Sequence, residues 1–217
     1  MFKLAPSILA ADFAYLGRDV LLCEAAGADM LHIDVMDGKF VENISIGVPI
    51  VKSIRRVTIM PLDLHLMISK PGNYVEPFTQ AGADIISFHL EAEGDPFLTI
   101  EKIKKCGALP GITISPETAV KDVLEYLPLV SIVLVMSVNP GFGGQAFLPD
   151  TLDKVRAVSG YIKKNNINTQ VEVDGGITPQ NAEEIIRAGA DIVVAGSAIF
   201  SQNDIRGAIK AFKNIGL

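Results

Sequence analysis

The chain has 217 residues, 49% of them hydrophobic, and its mean hydropathy is +0.35. The net charge of −6 and the pI near 5.1 argue against nucleic acid or an anionic membrane as a partner. Cys23 and Cys106 lie far apart and form no C-x-x-C pair, so no disulfide is expected and a reducing, cytoplasmic setting is favoured.

Eight short apolar runs, typical of strands buried on both faces, follow one another along the chain. In chain order they cover residues 4–9, 30–35, 60–67, 85–89, 109–114, 132–136, 170–174 and 192–195. Helix-like stretches lie between them, for example 15–26, 71–81, 151–165 and 179–188. No run approaches the roughly 18 residues of a membrane span. Because the first strand begins near Phe2, we expect no targeting peptide.

The tetrapeptide Ala-Gly-Ala-Asp occurs at 26–29, 81–84 and 188–191, each time after a helix-like stretch and before a strand-like run. Its glycines are 55 and 107 residues apart, close to two and four repeats of about 27 residues. About eight such units fit the chain, which predicts an α/β fold: a single (β/α)₈ TIM-type barrel with parallel strands over residues 1–217. The alternative is an open, doubly wound sheet, but no nucleotide-binding fingerprint supports it.

Polar residues gather where the predicted strands end, which is where such barrels carry their chemistry. Ser7 lies near the end of the first strand, and all three histidines of the chain, His32, His65 and His89, lie at strand ends. His32 and Asp34 are two residues apart and therefore face the same side of their strand. Together with His65 and Asp174 they predict a site for one divalent metal ion, either zinc, iron(II), cobalt or manganese.

Two simpler interpretations of these residues remain. A single histidine at a strand end is usually a hydrogen-bonded core residue, and Asp34 and Asp174 could each form an ion pair. Apart from Lys39, however, almost no basic residue stands near these strand ends, and a buried carboxylate without a cation is costly.

Glycine clusters follow the last three predicted strands, at 141–144, 175–176 and 196–197. Backbone N–H groups in such loops can hold phosphate, and glycine lets the backbone approach closely. The alternative is three ordinary turns. Three methionines, Met36, Met67 and Met136, lie at strand ends and serve either as core filler or as a water-poor cap over a planar intermediate.

Six ordered segments resemble the ribulose-phosphate 3-epimerase family from one end of the chain to the other. They are SILAADF at 7–13, HIDVMDG at 32–38, DLHLM at 63–67, VMSVNPGFGGQ at 135–145, EVDGGI at 172–177 and AGSAIF at 195–200. The resemblance implies a small-molecule ketose phosphate substrate, with interconversion of D-ribulose 5-phosphate and D-xylulose 5-phosphate in the pentose phosphate pathway. It also implies a homo-oligomer.

The resemblance further implies a role for each matching residue. His32, Asp34, His65 and Asp174 would be the metal ligands, and Asp34 and Asp174 the acid–base pair that works through a metal-stabilised enediolate. The substrate contacts would be Ser7, His65, Gly141, Phe142, Gly143, Gly144, Asp174, Gly175, Gly176, Gly196 and Ser197.

Three loop positions depart from the family pattern, namely Lys39, Glu42 and Ser115. They leave open the alternative of a 3-epimerase acting on a six-carbon ketose phosphate such as D-allulose 6-phosphate. A decarboxylase or aldolase barrel would want a lysine at a strand end, and none is found. A non-catalytic phosphosugar-binding barrel would be expected to lack Asp34 and Asp174.

Overall fold

The structure is a computed structural model that describes residues 2–216. The strands are β1 (Lys3–Pro6), β2 (Leu31–Met36), β3 (Leu62–Met67), β4 (Ile85–His89), β5 (Leu109–Ile114), β6 (Ile132–Met136), β7 (Gln170–Asp174) and β8 (Ile192–Ala195). The α-helices are α1 (Leu16–Ala25), α2 (Val48–Arg55), α3 (Val75–Ala81), α4 (Pro96–Cys106), α5 (Thr151–Lys164), α6 (Pro179–Ala188), α7 (Ser197–Phe200) and α8 (Ile205–Lys213). Within residues 2–216, none of these helices combines the length and the apolar character that crossing a membrane would require.

The eight strands form one parallel sheet in the order β1-β8-β7-β6-β5-β4-β3-β2. Its two edge strands, β1 and β2, meet through a parallel bridge between Ser7 and His32. Beside that bridge, the Asp29 carboxylate accepts a hydrogen bond from Leu4 N, and Asp29 N donates to the Leu4 carbonyl. The sheet therefore curls round into a barrel with one seam between β1 and β2, which confirms the predicted fold class.

Each aspartate of the Ala-Gly-Ala-Asp repeat holds the start of a neighbouring strand. Asp29, Asp84 and Asp191 accept hydrogen bonds from the backbone N–H groups of Leu4, Leu62 and Val171, respectively. The repeat thus ends a helix and leads into a strand. Its carboxylate binds the backbone of the preceding strand, so the two strands are held side by side.

The barrel has an apolar outer layer, and its interior combines polar side chains with a smaller apolar cluster that includes Ile132 and Ile192. Outward-facing strand residues such as Ile33, Leu64 and Val173 are fully buried against the helices. Because side chains alternate along a strand, their neighbours point inward. The buried polar residues of the strands are His32, Asp34, Asp63, His65, Ser87, His89, Thr113 and Glu172.

The observed elements differ from the predicted ones in two informative places. The first strand ends at Pro6, because Ser7 caps a 3₁₀ turn at Ile8–Ala10 that leads the chain away from the sheet. Between β5 and β6 the chain forms two 3₁₀ turns, Val120–Asp122 and Leu127–Leu129, where an α-helix is expected in a regular unit. The bounds of β4, β5, β6, β7, β8 and α6 are those predicted.

Candidate active site at the mouth of the barrel

A cleft of about 570 Å³ opens at the carboxyl ends of the strands. It is lined by Ser7, Leu9, Ala10, Asp34, Met36, Met67, Met136, Val138, Gly141, Phe142, Gly143, Gly144, Gln145, Asp174, Gly175, Gly176, Ile177, Val194, Gly196 and Ser197. Among the described residues, no lysine or arginine lines this cleft, so an anion bound there would be held by backbone N–H groups and hydroxyls.

Four predicted metal ligands come together at the bottom of the cleft. One ligand atom from each of His32, Asp34, His65 and Asp174 lies within 4.8 Å of the other three. Asp34 Oδ1 is 3.2 Å from His65 Nδ1 and 3.5 Å from His32 Nε2. Asp34 Oδ2 accepts a 2.6 Å hydrogen bond from Ser7 Oγ. Two imidazoles and two carboxylates in this arrangement can hold a divalent metal ion.

A buried nitrogen atom without a hydrogen-bond partner supports the binding of a cation by these four residues. His32 Nε2 is fully buried and has no hydrogen-bond partner within residues 2–216, although it points at the Asp34 carboxylate. Burial opposes a charge on His32, but the Asp34 and Asp63 carboxylates raise the pKa of this imidazole well above its usual range. The cluster therefore attracts one positive charge at this position, which a proton or a metal ion can supply.

The two carboxyls that face the cleft have opposite preferences for a proton. Burial raises the pKa of Asp174 to about 7, and the negative charge of Asp34 adds to this effect. Burial acts in the same direction on Asp34, but His32 and His65 together hold the pKa of that carboxyl well below its usual range. At neutral pH Asp34 is therefore ionised, whereas Asp174 carries a proton for part of the time.

His65 is suited to bind a metal as a neutral imidazole. It is fully buried, and burial lowers its pKa to about 4. Its Nδ1 faces Asp34, whereas its Nε2 faces His89. Because His65 lies beneath the floor of the cleft and does not line it, its direct contact with a substrate stays a prediction.

A second set of ionisable residues lies below the predicted ligands and was missed from the sequence. His32 Nδ1 donates to Asp63 Oδ2 at 2.7 Å and is 3.7 Å from Glu172 Oε1. Burial, and then the negative charge of Asp63, raises the pKa of Glu172 well above its usual range, so Glu172 keeps its proton. The sequence holds a signal for both residues, because each stands two positions before a predicted ligand and so faces the interior.

Two adjacent glycines shape the side of the cleft next to Asp174. Gly175 and Gly176 have φ angles of +124° and +63°. A Cβ on Gly175 would lie 2.5 Å from Val138 Cγ2, and one on Gly176 would lie 2.3 Å from Phe147 N. Only glycine lets the loops after β6 and β7 approach this closely.

The loop after β6 is held over the cleft by side-chain amides. Gln145 Nε2 donates to the carbonyls of Asn139 and Phe142, and Asn43 Nδ2 donates to the carbonyl of Gly141. The three methionines Met36, Met67 and Met136 line the same cleft and are almost fully buried. The predicted cap and loop residues thus surround one cavity.

The positions that depart from the family pattern lie outside the cleft lining. Lys39 and Glu42 are exposed. Ser115 lies just after β5, and its Oγ is 3.3 Å from His89 Nδ1.

Comparison with known proteins identifies the family of the chain. Residues 3–200 match the model of the ribulose-phosphate 3 epimerase family. The chain is 47% identical to the ribulose-phosphate 3-epimerase of Synechocystis sp., over 97% of this chain and 92% of that protein. It is 46% identical to the ribulose-phosphate 3-epimerase of Bacillus subtilis, over 98% and 99% of the two chains.

Solved structures agree with the fold. A variant tryptophan synthase alpha-subunit from Pyrococcus furiosus superimposes with a TM-score of 0.73, covering 99% of this chain and 100% of that one. The identity is only 16%, so this likeness shows the barrel alone.

Proposed function

The chain belongs to the ribulose-phosphate 3-epimerase family, and from this we propose that its cleft interconverts D-ribulose 5-phosphate and D-xylulose 5-phosphate. It is an isomerase that acts on a small phosphosugar, and this activity fits the pentose phosphate pathway. The observation that carries the proposal is the pair of carboxyls, Asp34 from β2 and Asp174 from β7, that face one cleft.

The reaction inverts C3 of the sugar, next to the C2 ketone. One carboxylate removes the C3 proton from one face of the sugar, which leaves a planar enediolate. The other carboxyl returns a proton to the opposite face. Asp34 is ionised and fit to accept the proton, whereas Asp174 has a pKa of about 7 and is fit to donate one. In the reverse direction the two residues exchange roles.

We infer that one divalent metal ion, either zinc, iron(II), manganese or cobalt, is held by His32, Asp34, His65 and Asp174. The unsatisfied His32 Nε2 and the donor set of two imidazoles and two carboxylates support this inference. Such an ion supplies a Lewis acid for the negative charge that develops on the ketone oxygen. The protein contributes the buried, preorganised ligands and keeps Asp34 hydrogen-bonded to Ser7.

We propose that the glycine-rich loops hold the phosphate group of the substrate. The lining glycines at 141, 143, 144, 175, 176 and 196, with Ser197 and Phe142, would be its contacts, and Ser7 and His65 would lie at the reacting end. The thioethers of Met36, Met67 and Met136 would cap the planar intermediate and keep water away from it.

The proposal predicts that Asp34→Asn and Asp174→Asn each lose turnover by about 10²–10⁴-fold, because each removes one proton-transfer group. Turnover is measured in a coupled assay with D-ribulose 5-phosphate, and folding is checked by circular dichroism. Asp153→Asn is the matched control, since the Asp153 side chain is 87% exposed and lies on α5. Near wild-type turnover in either site variant would end the two-carboxylate scheme.

The same assay separates the alternative functions. A larger kcat/KM on D-allulose 6-phosphate than on D-ribulose 5-phosphate would favour the six-carbon substrate. Binding of the pentose phosphate without exchange of its C3 hydrogen in D₂O would favour a non-catalytic barrel. The presence of both Asp34 and Asp174 in the cleft favours catalysis.

We also propose that the protein is a homo-oligomer and that it is located in the cytoplasm. Single apolar side chains on the surface, such as Ile44 at 78%, Ile59 at 90% and Leu98 at 69% exposure, could be covered by a second copy. Light scattering on the purified protein measures the oligomeric state directly.

A further inference from the structure

A chain of hydrogen bonds runs from His65 to the loop that follows β5. His65 Nε2 lies 2.9 Å from His89 Nε2, and the two rings stack with centroids 5.0 Å apart and planes inclined by 29°. Both imidazoles are fully buried. The contact leaves the other nitrogen of His65, Nδ1, directed at Asp34.

The far end of this series of hydrogen bonds is a carboxylate that further hydrogen bonds hold in place. His89 Nδ1 lies 3.0 Å from Glu91 Oε2. The second oxygen, Glu91 Oε1, accepts hydrogen bonds from Ser115 N and from Thr118 Oγ1. Burial opposes the charge, but the hydrogen bonds from His89 and Thr118 lower the pKa of Glu91 to about 2. Glu91 is therefore an acceptor at any ordinary pH.

These contacts decide where the protons of both rings lie. An ionised Glu91 requires a proton on His89 Nδ1, because two acceptors facing each other at 3.0 Å would repel. The two Nε2 atoms face each other at 2.9 Å, so one of them donates and the other accepts; we assign the donor to His65 Nε2 and the acceptor to His89 Nε2. This leaves the lone pair of His65 on Nδ1, the nitrogen that faces the cation site.

We propose that His89 and Glu91 are positioning residues that hold His65 in the tautomer that binds a divalent cation through Nδ1. The inference rests on the metal site of the proposed function and deepens it. Asp63 has the same relation to His32, since it accepts from Nδ1 and leaves Nε2 free. A buried acceptor behind a ligating histidine raises the basicity of the ligand and fixes its ring.

Two substitutions of one residue separate hydrogen bonding from packing. His89→Phe keeps an aromatic ring against His65 and against Phe40, whose ring centroid is 4.7 Å away, but it cannot accept a hydrogen bond. His89→Gln loses the ring, but its carboxamide oxygen can accept from His65 Nε2. Zinc affinity of the metal-free proteins is measured by competition with a chromophoric chelator, and thermal unfolding of the same metal-free samples checks the fold.

We expect His89→Phe to bind zinc about 10–100-fold more weakly than wild type, and His89→Gln to stay within about threefold. Equal affinity of His89→Phe and wild type would overturn the inference. A greater loss in His89→Gln than in His89→Phe would also overturn it, because packing would then be what matters. If the wild-type protein binds no zinc and is active without metal, the metal site itself fails, which is a separate result.

A second pair of variants tests the inference if His89→Phe does not fold. Glu91→Leu removes the acceptor behind His89, whereas Glu93→Leu removes an exposed carboxylate two residues away that pairs with Lys70 on the surface. Weaker zinc binding in Glu91→Leu alone supports the inference. Equal zinc affinity in the two variants contradicts it.

Discussion

Asp34 and Asp37 lie on the same segment but have different physical roles. Asp34 faces the cleft and contacts His32 and His65, the two histidines of the predicted metal site. Asp37 stands just past the end of β2 and accepts four hydrogen bonds, which come from the backbone of Lys39, Phe40 and Ser69 and from the Ser69 hydroxyl. It therefore ties the loop after β2 to the end of β3.

The pH dependence of stability should report on Asp37. Burial acts to raise its pKa, but the backbone hydrogen bonds lower the pKa of this carboxyl to about 2. A lowered folded-state pKa gives stability that is full above the unfolded value of about 4 and is lost as the pH falls toward 2. Asp37→Asn should thus be less stable than wild type near pH 7.

Urea unfolding of Asp37→Asn and wild type, at about pH 7 and about pH 2.5, measures this difference. We expect it to shrink at the lower pH, where the wild-type carboxyl gains its proton. A difference that is the same at both values would show that Asp37 does not stabilise the fold through its charge.

Gly176 is the position where a side chain would conflict most directly with the backbone. A Cβ there would lie 2.3 Å from Phe147 N, so Gly176→Ala must displace the loop after β6. We expect kcat/KM to fall by up to about 100-fold through misplacement of the substrate. Gly27→Ala is the control, because Gly27 also has a positive φ, of +88°, but has open space around it.

In the Gly27→Ala control, strain alone should cost about 1–2 kcal/mol of stability and leave the kinetics unchanged. Steady-state kinetics and thermal unfolding of both variants make the comparison. Wild-type kinetics in Gly176→Ala would mean that the close approach of the two loops is not needed for turnover.

At the level of residues, the sequence predicted the ligand cluster because alternation puts His32 and Asp34 on one face. The structure brings these two together with His65 and Asp174. Asp63 and Glu172 were missed because buried carboxylates are costly, and apolar side chains are expected below the mouth of a barrel. Their partner, His32, directs one ring nitrogen at the cleft and the other at the interior. A strand pattern does not reveal that one side chain has partners on both sides.

Among the elements, the connection between β5 and β6 is the unusual one. It has no α-helix, and a lysine from a neighbouring helix holds its first turn instead. Lys154 Nζ, on α5, donates to the carbonyls of Ser115, Pro116 and Thr118 at 2.6–2.9 Å. This same turn holds Glu91, so α5 supports the hydrogen-bond chain that ends at His65.

Lys154→Met should destabilise the protein, because the aliphatic part of the side chain is kept while three carbonyls lose their donor. We expect a loss of about 1–3 kcal/mol in the free energy of unfolding. Lys164→Met, at the exposed end of the same helix, should change it by less than about 0.5 kcal/mol. Urea denaturation measures both, and similar values for the two variants would contradict the role given to Lys154.

The predicted element bounds were most accurate where apolar runs have clear ends. Strands β4 to β8 agree with the prediction, and β6, β7 and β8 each have a polar residue or a glycine on both sides. The first strand was predicted too long, since Ile8 and Leu9 continue the apolar pattern while Ser7 already caps a 3₁₀ turn. Pattern alone cannot detect such a cap, because the apolar residues of the turn are also buried or half-buried.

For the molecule as a whole, the buried acidic cluster inside the barrel should make stability depend on a cation. Asp34, Asp63, Asp174 and Glu172 all lie in or beside the interior, with His32 as their shared neighbour. A divalent ion that binds only the folded chain stabilises it by mass action, by about 2.7 kcal/mol at a concentration 100 times its Kd.

Removal of metal with a chelator should therefore lower the melting temperature and abolish turnover, and added zinc or manganese should restore both. Differential scanning calorimetry of metal-free and reloaded protein measures the shift. In Asp34→Asn, which lacks one ligand charge, the shift should be much smaller. A metal-free protein with full activity and an unchanged melting temperature would rule out the cation site.

The seam between β1 and β2 has a consequence for local opening of the barrel. The backbone bridge Ser7–His32 joins the two strands, and the Asp29 side chain takes the place of a backbone partner for Leu4. With so few cross-strand bonds, this seam should open at a lower free energy than the ladders elsewhere. Opening would also separate Ser7 from Asp34. Amide hydrogen exchange at Leu4 and Asp29 should consequently be fast in the free protein and slow once a ligand draws the two strands together.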